Sequence, residues 1–210
     1  VSTQTGADDD LGRRTSTVGR VHPHLEVKVV DSETGLTVPR GTAGECWTRG
    51  DSVMLGYRGE PETTAEVLDP ARWMHTGDLA VMDDEGYLNI VGRIKDMVIR
   101  GGENVYPREV EEFLFTHPDI VEAQVIGVPD ERYGEELMAW VRLRSGAEPL
   151  TVEVLRDFCS GKLAHYKVPR YLKLVDSFPM TVTGKVRKVE LRELSVAELG
   201  LEAAAAVRNA

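Results

Sequence analysis

Asp78 and Lys185 are the residues whose types and surroundings best fit sugar and phosphate chemistry. Asp78 ends the segment WMHTGD, residues 73–78, and a carboxylate there can accept hydrogen bonds from both hydroxyls of a ribose. Lys185 follows Gly184 in PMTVTGKVRK, residues 179–188, where a lysine is a mobile point charge that can reach a phosphate and a carboxylate together. Each has a simpler alternative, because an Asp can cap its own turn and a lysine can be a surface residue.

Two adjacent glycines, Gly101 and Gly102, lie between these segments in GRIKDMVIRGGENVYP, residues 92–107. Adjacent glycines allow positive backbone dihedral angles and let another molecule pass close to the main chain. The segment starts with the charged residues Arg93, Lys95 and Asp96, which a strand does not need. The pattern indicates a joint or a binding site, and the alternative is that the glycines serve only the geometry of a turn.

With these three segments in this order, the chain resembles the adenylate-forming enzymes. This superfamily includes acyl-CoA synthetases, peptide-synthetase adenylation domains and beetle luciferase. The variant GGENVYP and the REVEEFLFTHPDI that continues from it are most similar to medium- or long-chain fatty acyl-CoA synthetases. The resemblance extends from about Thr17 to Leu194.

The resemblance implies a role for four charged residues. Asp78 is expected to hold the ribose of AMP, and Arg93 to reach the ribose and phosphate side. Lys185 is expected to be the catalytic lysine of adenylation. Lys95 matches the hinge of the C-terminal domain, a position that must absorb a change of dihedral angles. The alternative for Arg93 and Lys95 is an ordinary place on the surface.

The implied reaction has two steps. A fatty acid carboxylate attacks the α-phosphate of ATP with the help of Mg²⁺, which yields acyl-AMP and pyrophosphate. The C-terminal domain then turns, and the thiol of CoA displaces AMP; Gly101 and Gly102 are expected to line the tunnel for the pantetheine arm, with the better match at Gly102. Two other interpretations stay open: an adenylation domain that loads a carrier protein, and a non-catalytic interaction module that kept the fold.

The composition argues against several other classes of protein. The formal net charge of −10 speaks against a nucleic-acid-binding surface, and no apolar run approaches the roughly 18 residues that a membrane span needs. Apart from His22 and His24, the five histidines show no metal-ligand spacing, so no metal site is predicted within the chain. The two cysteines, Cys46 and Cys159, lie far apart, which fits a reducing compartment and a cytoplasmic location.

A local cluster of basic residues can attract phosphate even though the total charge is acidic. Its members are Arg93, Lys95, Arg100, Lys162, Lys167, Arg170, Lys185, Arg187 and Lys188. The expected partners are therefore ATP, CoA and a fatty acid, without nucleic acid and without a transmembrane segment. An exposed strand edge would also allow a homodimer.

The expected fold class is α+β: a small β-barrel-like subdomain, followed by an α+β lid domain with a three-stranded sheet. Short strands dominate residues 17–94, and helices and strands alternate over residues 95–199. The hydrophobic pattern predicts helices at 61–68, 107–116, 151–163 and 186–199. Residues 1–16 are expected to be disordered, and the Ala-rich residues 200–210 to fray as a tail.

Other motifs of the resembling family do not occur in the 210 residues. Neither a phosphate loop like TSGTTGxPK nor an adenine motif like YGxTE is present. The first residues, VSTQT, are similar to the segment that follows the adenine motif in that family. The chain is therefore expected to be the C-terminal part of a longer enzyme and to be inactive by itself.

Overall fold

The computed structural model describes residues 2–208, and its contacts divide the chain into two compact units, Val1–Lys95 and Asp96–Ala210. The helices and strands of the first unit are β1 (Thr3–Gln4), α1 (Leu11–Ser16), β2 (Arg20–Val21), β3 (Leu25–Val30), β4 (Ala43–Gly50), α2 (Pro61–Val67), β5 (Met74–Met82) and β6 (Leu88–Arg93).

The first unit is built on an antiparallel sheet of four strands in the order β3-β4-β5-β6. Side chains alternate between the faces of a strand, so one face of this sheet collects the buried residues Val29, Cys46, Ala80 and Leu88. Among the described residues the sheet is open and not barrel-like, because four strands are too few to curl into a closed barrel.

Residues 2–16 are ordered against this sheet, which differs from the expected disorder. Asp10 caps α1 by accepting from the Arg13 N–H over 2.9 Å. The guanidinium of Arg13 pairs with Asp83 and, over 2.7 Å, with Glu85 in the turn between β5 and β6. The hydroxyl of Tyr87 donates to Asp9. These partners are 70 or more residues away, so the composition of the segment did not indicate them.

The second unit contains β7 (Val98–Arg100), β8 (Glu103–Val105), α3 (Pro107–Leu114), β9 (Ile120–Asp130), β10 (Gly134–Leu143), α4 (Val152–Cys159), β11 (Tyr171–Leu174), α5 (Lys188–Leu199) and α6 (Glu202–Arg208). Short 3-10 turns lie at Ile94–Asp96 and at His165–Lys167.

The sheet of the second unit is centred on β10, which pairs antiparallel with β9 along its whole length and parallel with β11. Both faces of this sheet are covered, so the central strands are apolar almost throughout. Leu137, Ala139 and Val141 pack on one face with residues of α3 and α4. Met138 and Trp140 pack on the other face with residues that include Leu191 of α5.

The expected α+β class is confirmed, and two details of the second unit differ from expectation. Its sheet has five strands instead of three, because β7 and β8 form a hairpin that reaches β10 through the bridge between Arg100 and Gly134. Strands of three residues are too short for a periodic pattern to reveal. The Ala-rich end forms α6, and residues 209–210 lie outside the described part.

Three of the four expected helices end earlier than the hydrophobic pattern predicted, by 1–4 residues, and α5 begins two residues later. Element boundaries are the least certain feature of a sequence pattern. Within residues 2–208, no helix is both long and apolar enough to cross a membrane.

Candidate functional site

Asp78 lies within β5, directly opposite Arg93 at the end of β6. Arg93 Nε donates to Asp78 Oδ1 over 2.8 Å. Both side chains stay accessible, with 32% of Asp78 and 54% of Arg93 exposed. The strand β5 begins at Met74, four residues before Asp78. The other carboxylate oxygen of Asp78 has no hydrogen-bond partner among residues 2–208 and can accept from a ligand.

The irregular part of β5 before Asp78, where its register with β4 shifts, is held by other side chains. Thr76 Oγ1 accepts from the Asp78 N–H over 3.1 Å and donates to the Cys46 carbonyl over 2.6 Å. Gly77 N–H donates to Glu45 Oε1 over 3.0 Å. Because these bonds satisfy the main chain, the carboxylate of Asp78 does not cap its own turn. This observation favours the ligand-binding interpretation over the simpler alternative.

Gly101 and Gly102 form the turn between β7 and β8, with φ angles of +60° and +89°. A Cβ atom added to Gly101 would lie 3.0 Å from Tyr133 Cδ1, whereas one added to Gly102 would meet no atom of residues 2–208 within 4 Å. The packing against Tyr133 and the positive φ angle therefore both disfavour a side chain at Gly101, while the space beside Gly102 is open. An open approach at Gly102 supports the tunnel interpretation, which stays a prediction.

Tyr133, which the sequence analysis did not single out, braces this turn. Gly101 N–H donates to the Tyr133 carbonyl over 2.8 Å. The guanidinium groups of Arg100 and Arg132 lie 5.1 Å and 5.0 Å from the centre of its ring. Arg100 also makes two hydrogen bonds to the buried Glu136, at 2.7 Å and 2.8 Å, which raise the pKa of Arg100. Residues 129–136, PDERYGEE, carry no local signal of the contacts with Gly101 and Arg100, since those arise only when β10 lies beside β7.

Lys185 directly follows the tip of a tight hairpin turn and lies opposite Thr181. Thr181 N–H donates to the Lys185 carbonyl over 2.8 Å, and Lys185 N–H donates to Thr181 Oγ1 over 3.1 Å. Gly184 adopts a φ angle of +78°, and Met180 forms a bridge with Val186. This bridge extends the hairpin to Val186 and explains the late start of α5. The backbone under Lys185 is therefore held firmly, while its side chain is exposed.

Six of the nine basic residues expected to attract phosphate are paired with carboxylates. The pairs are Arg93 with Asp78, Arg100 with Glu136, Lys167 with Glu109, Arg170 with Asp130, Arg187 with Glu190 and Lys188 with Glu111. In the described part of the chain, Lys95, Lys162 and Lys185 have no such carboxylate. Of the cluster, these three cations keep their charge available for an incoming anion.

Lys95 is exposed in the 3-10 turn Ile94–Asp96 and is the last residue of the first compact unit. Lys95 therefore lies where the contacts of the chain divide, and boundaries between units are the usual place for a hinge. The hinge role stays a prediction.

The remaining candidates for chemistry are occupied by packing. The ring of His75 stacks on Trp47 with the two ring centroids 3.7 Å apart. Cys46 and Cys159 are free and buried, and burial raises the pKa of each thiol to about 11, which disfavours the nucleophilic thiolate. Across residues 2–208, no group of three or more His, Cys, Asp and Glu side chains could hold a metal ion.

Two family profiles match the chain. The AMP-binding enzyme family matches residues 1–58, and the AMP-binding enzyme C-terminal domain matches residues 109–185. The second range ends at Lys185. Asp78, Arg93, Gly101 and Gly102 fall between the two ranges.

The chain is similar in sequence to acyl-CoA ligases and in fold to a protein of known crystal structure. The chain is 53% identical over 193 residues to the mitochondrial medium-chain acyl-CoA ligase ACSF2 of Danio rerio, covering 92% of this chain and 32% of that protein. For the Bos taurus protein of the same name the identity is 48% over 194 residues, with 92% and 31% covered. The ATP-bound crystal structure of MatB from Rhodopseudomonas palustris superposes with a TM-score of 0.85 at 39% identity, covering 92% of this chain and 38% of MatB.

The fold and the matches define an adenylate-forming protein, as the three motifs indicated. The chain belongs to the AMP-binding enzyme family, and the resemblance is thereby confirmed. The chain spans about a third of the length of the curated relatives it matches.

Proposed function

We propose that the chain is the C-terminal part of an ATP-dependent acyl-CoA synthetase that acts on a fatty acid. The observation that carries the proposal is Lys185, an exposed lysine without a carboxylate partner in the described residues, on a hairpin turn whose backbone is hydrogen-bonded on both sides. A cation that is free while its backbone is fixed can stabilise charge that develops in a transition state.

In the first step a carboxylate oxygen of the acid attacks the α-phosphorus of ATP, and the bond from this phosphorus to pyrophosphate breaks. Lys185 would neutralise the charge on the phosphate and the attacking carboxylate. Asp78 would accept hydrogen bonds from the ribose hydroxyls, while Arg93, already bonded to Asp78 Oδ1 over 2.8 Å, would keep this carboxylate oriented.

In the second step the thiol of CoA loses its proton, and its sulfur attacks the acyl carbon of acyl-AMP. The bond from this carbon to AMP breaks, and AMP leaves. We propose that Lys95 is the hinge that exchanges Lys185 for Gly102 at the reaction centre between the steps. The open space beside Gly102 supports this assignment.

The substrates are proposed from chemistry and from the relatives. The name of the Danio rerio relative specifies medium-chain acyl groups, and the MatB structure holds ATP. Mg²⁺ is expected with ATP, but the described residues offer no cluster of three ligands for it, so no step here is assigned to a metal held by this chain. In the alternative function, the acyl group is transferred to a carrier protein instead of CoA. Assays with each thiol as the acceptor would distinguish the two functions.

Two further parts of the proposal concern location and assembly. We propose a cytoplasmic location, supported by two free, buried cysteines that form no disulfide. A homodimer through an exposed strand edge also stays a proposal.

The test uses the whole enzyme that contains this chain, with Lys185→Ala compared with wild type. The variant is expected to lose ATP-pyrophosphate exchange by about a hundredfold or more, and to retain thioester formation from supplied acyl-AMP. Lys173→Ala is the matched control, because this lysine belongs to the same unit but is paired with Glu198. Retained exchange in Lys185→Ala would contradict the proposed role.

The 210-residue chain tested alone is expected to form no acyl-CoA from acid, ATP and CoA. It contains no segment like TSGTTGxPK that could cradle the phosphates of ATP. Acyl-CoA synthesis by the isolated chain would contradict this part of the proposal.

A further inference from the structure

The first turn of α5 lies directly after the Lys185 hairpin, and its start has no side-chain cap. Arg187 occupies the N-cap position without making a capping hydrogen bond from its side chain. The orientation of this turn must therefore be held by other contacts. The Arg187 N–H donates to the Pro179 carbonyl over 2.9 Å and so continues the hairpin. Lys188, the first residue of α5, makes the side-chain contact to another element of the unit that lies nearest to Lys185.

Lys188 is held by the carboxylate of Glu111, which projects from α3. Lys188 Nζ lies 2.6 Å from Glu111 Oε1 and 3.3 Å from the Val125 carbonyl oxygen. The same Oε1 accepts from the Val125 N–H over 2.8 Å. Only 13% of the Glu111 side chain and 24% of the Lys188 side chain are exposed, so solvent screens the pair incompletely. Three elements, α3, β9 and α5, thus meet at one carboxylate.

The other side-chain contacts that hold α5 lie farther from Lys185. Arg192 Nε donates to the Gly127 carbonyl over 3.0 Å, and Ser195 Oγ accepts from Trp140 Nε1 over 2.9 Å. At the far end of the helix, Glu198 pairs with Lys173. These contacts can keep α5 attached to the sheet while its first turn shifts. The pair of Glu111 and Lys188 is therefore the contact best placed to set the direction of the preceding hairpin.

We propose that Glu111 is a positioning residue for Lys185, acting through Lys188. The inference rests on the proposed function, in which Lys185 serves the adenylation step. A lysine that must meet a phosphate and a carboxylate at once depends on the direction of its backbone, and a shift of about 1 Å can cost about a hundredfold in rate. Without the charge of Glu111, the ammonium group of Lys188 turns to solvent and the start of α5 loses this anchor.

The test compares half-reactions in the whole enzyme. Glu111→Gln keeps an oxygen that can accept from the Val125 N–H and removes only the charge. We expect ATP-pyrophosphate exchange to fall by about tenfold to a hundredfold in this variant. Thioester formation from supplied acyl-AMP should stay within about twofold of wild type, because that step does not use Lys185.

Two other variants complete the design. Lys188→Arg keeps the ion pair and is expected to retain most of the exchange activity, whereas Lys188→Gln should lose it as Glu111→Gln does. If Glu111→Gln does not fold, Lys188→Gln carries the same test. Glu198→Gln is the matched control. It removes the same charge as Glu111→Gln, but from a residue of α5 that lies ten positions after Lys188, and it should leave exchange unchanged.

The outcomes separate this inference from the proposed function. Unchanged exchange in Glu111→Gln, or an equal fall of both half-reactions together with a lower melting temperature, would overturn the positioning role. If Lys185→Ala itself keeps its exchange activity, the proposed function fails before Glu111 is considered.

Discussion

Asp78 and Arg93 face each other across neighbouring antiparallel strands, joined by a hydrogen bond of 2.8 Å from Arg93 Nε to Asp78 Oδ1. The same sheet contains a second pair of this kind, Glu26 and Arg49, directly opposite each other on β3 and β4 and joined by two hydrogen bonds of 2.8 Å. The two pairs share chemistry and exposure to solvent but differ in their sequence surroundings. They therefore allow a ligand-binding role to be separated from a stabilising one.

Asp78→Asn in the whole enzyme is expected to raise KM for ATP by about tenfold or more, since a hydrogen bond to a charged group contributes about 1.5–3 kcal/mol. Glu26→Gln should leave KM for ATP unchanged. Each substitution should lower the free energy of unfolding by less than about 1 kcal/mol, because exposed ion pairs contribute little. Steady-state kinetics and urea denaturation check both expectations. Equal kinetic effects of the two variants would contradict the ribose-binding role of Asp78.

Alanine substitution should distinguish the two glycines of the β7–β8 turn. Both positions have positive φ, so each change should cost about 1 kcal/mol from the backbone alone. Gly101→Ala should cost more, because its Cβ would press on Tyr133 Cδ1 at 3.0 Å. Thermal unfolding measures the difference, and Tyr133→Ala should remove most of it in a double-mutant cycle.

Gly102→Ala should act on the second half-reaction. Nothing in the described residues lies within 4 Å of the added Cβ, so the stability cost stays with the backbone. A methyl group beside the proposed tunnel should nevertheless slow thioester formation from supplied acyl-AMP by about tenfold or more, while exchange of pyrophosphate is spared. A variant that lost both half-reactions equally would indicate a role in backbone geometry alone.

The ion pair of Arg100 and Glu136 should be costly to break on one side. Only 13% of the Arg100 side chain and 1% of the Glu136 side chain are exposed. Arg100→Met leaves a buried carboxylate whose next cation, Arg170, is 3.6 Å away, and should cost about 3–5 kcal/mol. The double variant Arg100→Met with Glu136→Gln should recover much of this loss. Denaturant unfolding of Arg100→Met, Glu136→Gln and the double variant measures the coupling, and a double variant no more stable than Arg100→Met would contradict it.

The two buried cysteines predict a specific dependence on pH. Burial raises the pKa of Cys46 and of Cys159 from 9.0 to about 11. Between pH 9 and about 11 the unfolded chain therefore binds fewer protons than the folded one, so the stability that these thiols contribute is complete below pH 9 and is lost as pH rises towards 11.

Thiol labelling checks this expectation. At pH 8 neither cysteine should react in the folded protein, and both should react in denaturant. Serine variants at the two positions, measured in the same urea titrations from pH 8 to pH 11, should show a smaller loss of stability. Rapid labelling of the native protein would contradict the assignment.

The sequence by itself determined the features that depend on neighbours along the chain. Gly184 beside Lys185, the adjacent Gly101 and Gly102, and the alternation of strand residues each express a local backbone preference, which is why the motifs, the α+β class and most helices could be predicted. Short strands such as β7 and β8 were not predicted, because three residues are too few to show an alternating hydrophobic pattern.

Only the tertiary structure decided which charges are free. Arg93 and Asp78 are 15 residues apart, and Lys188 and Glu111 are 77 apart, so their pairing follows from strand register and from the packing of α3 and α5 on β9. The pairing of β10 with β7 set Tyr133 against Gly101 and left the space beside Gly102 open. Whether a charge is paired and how much space surrounds a residue depend on segments that are distant in sequence and come together only in the folded chain. Local sequence patterns do not reveal these contacts.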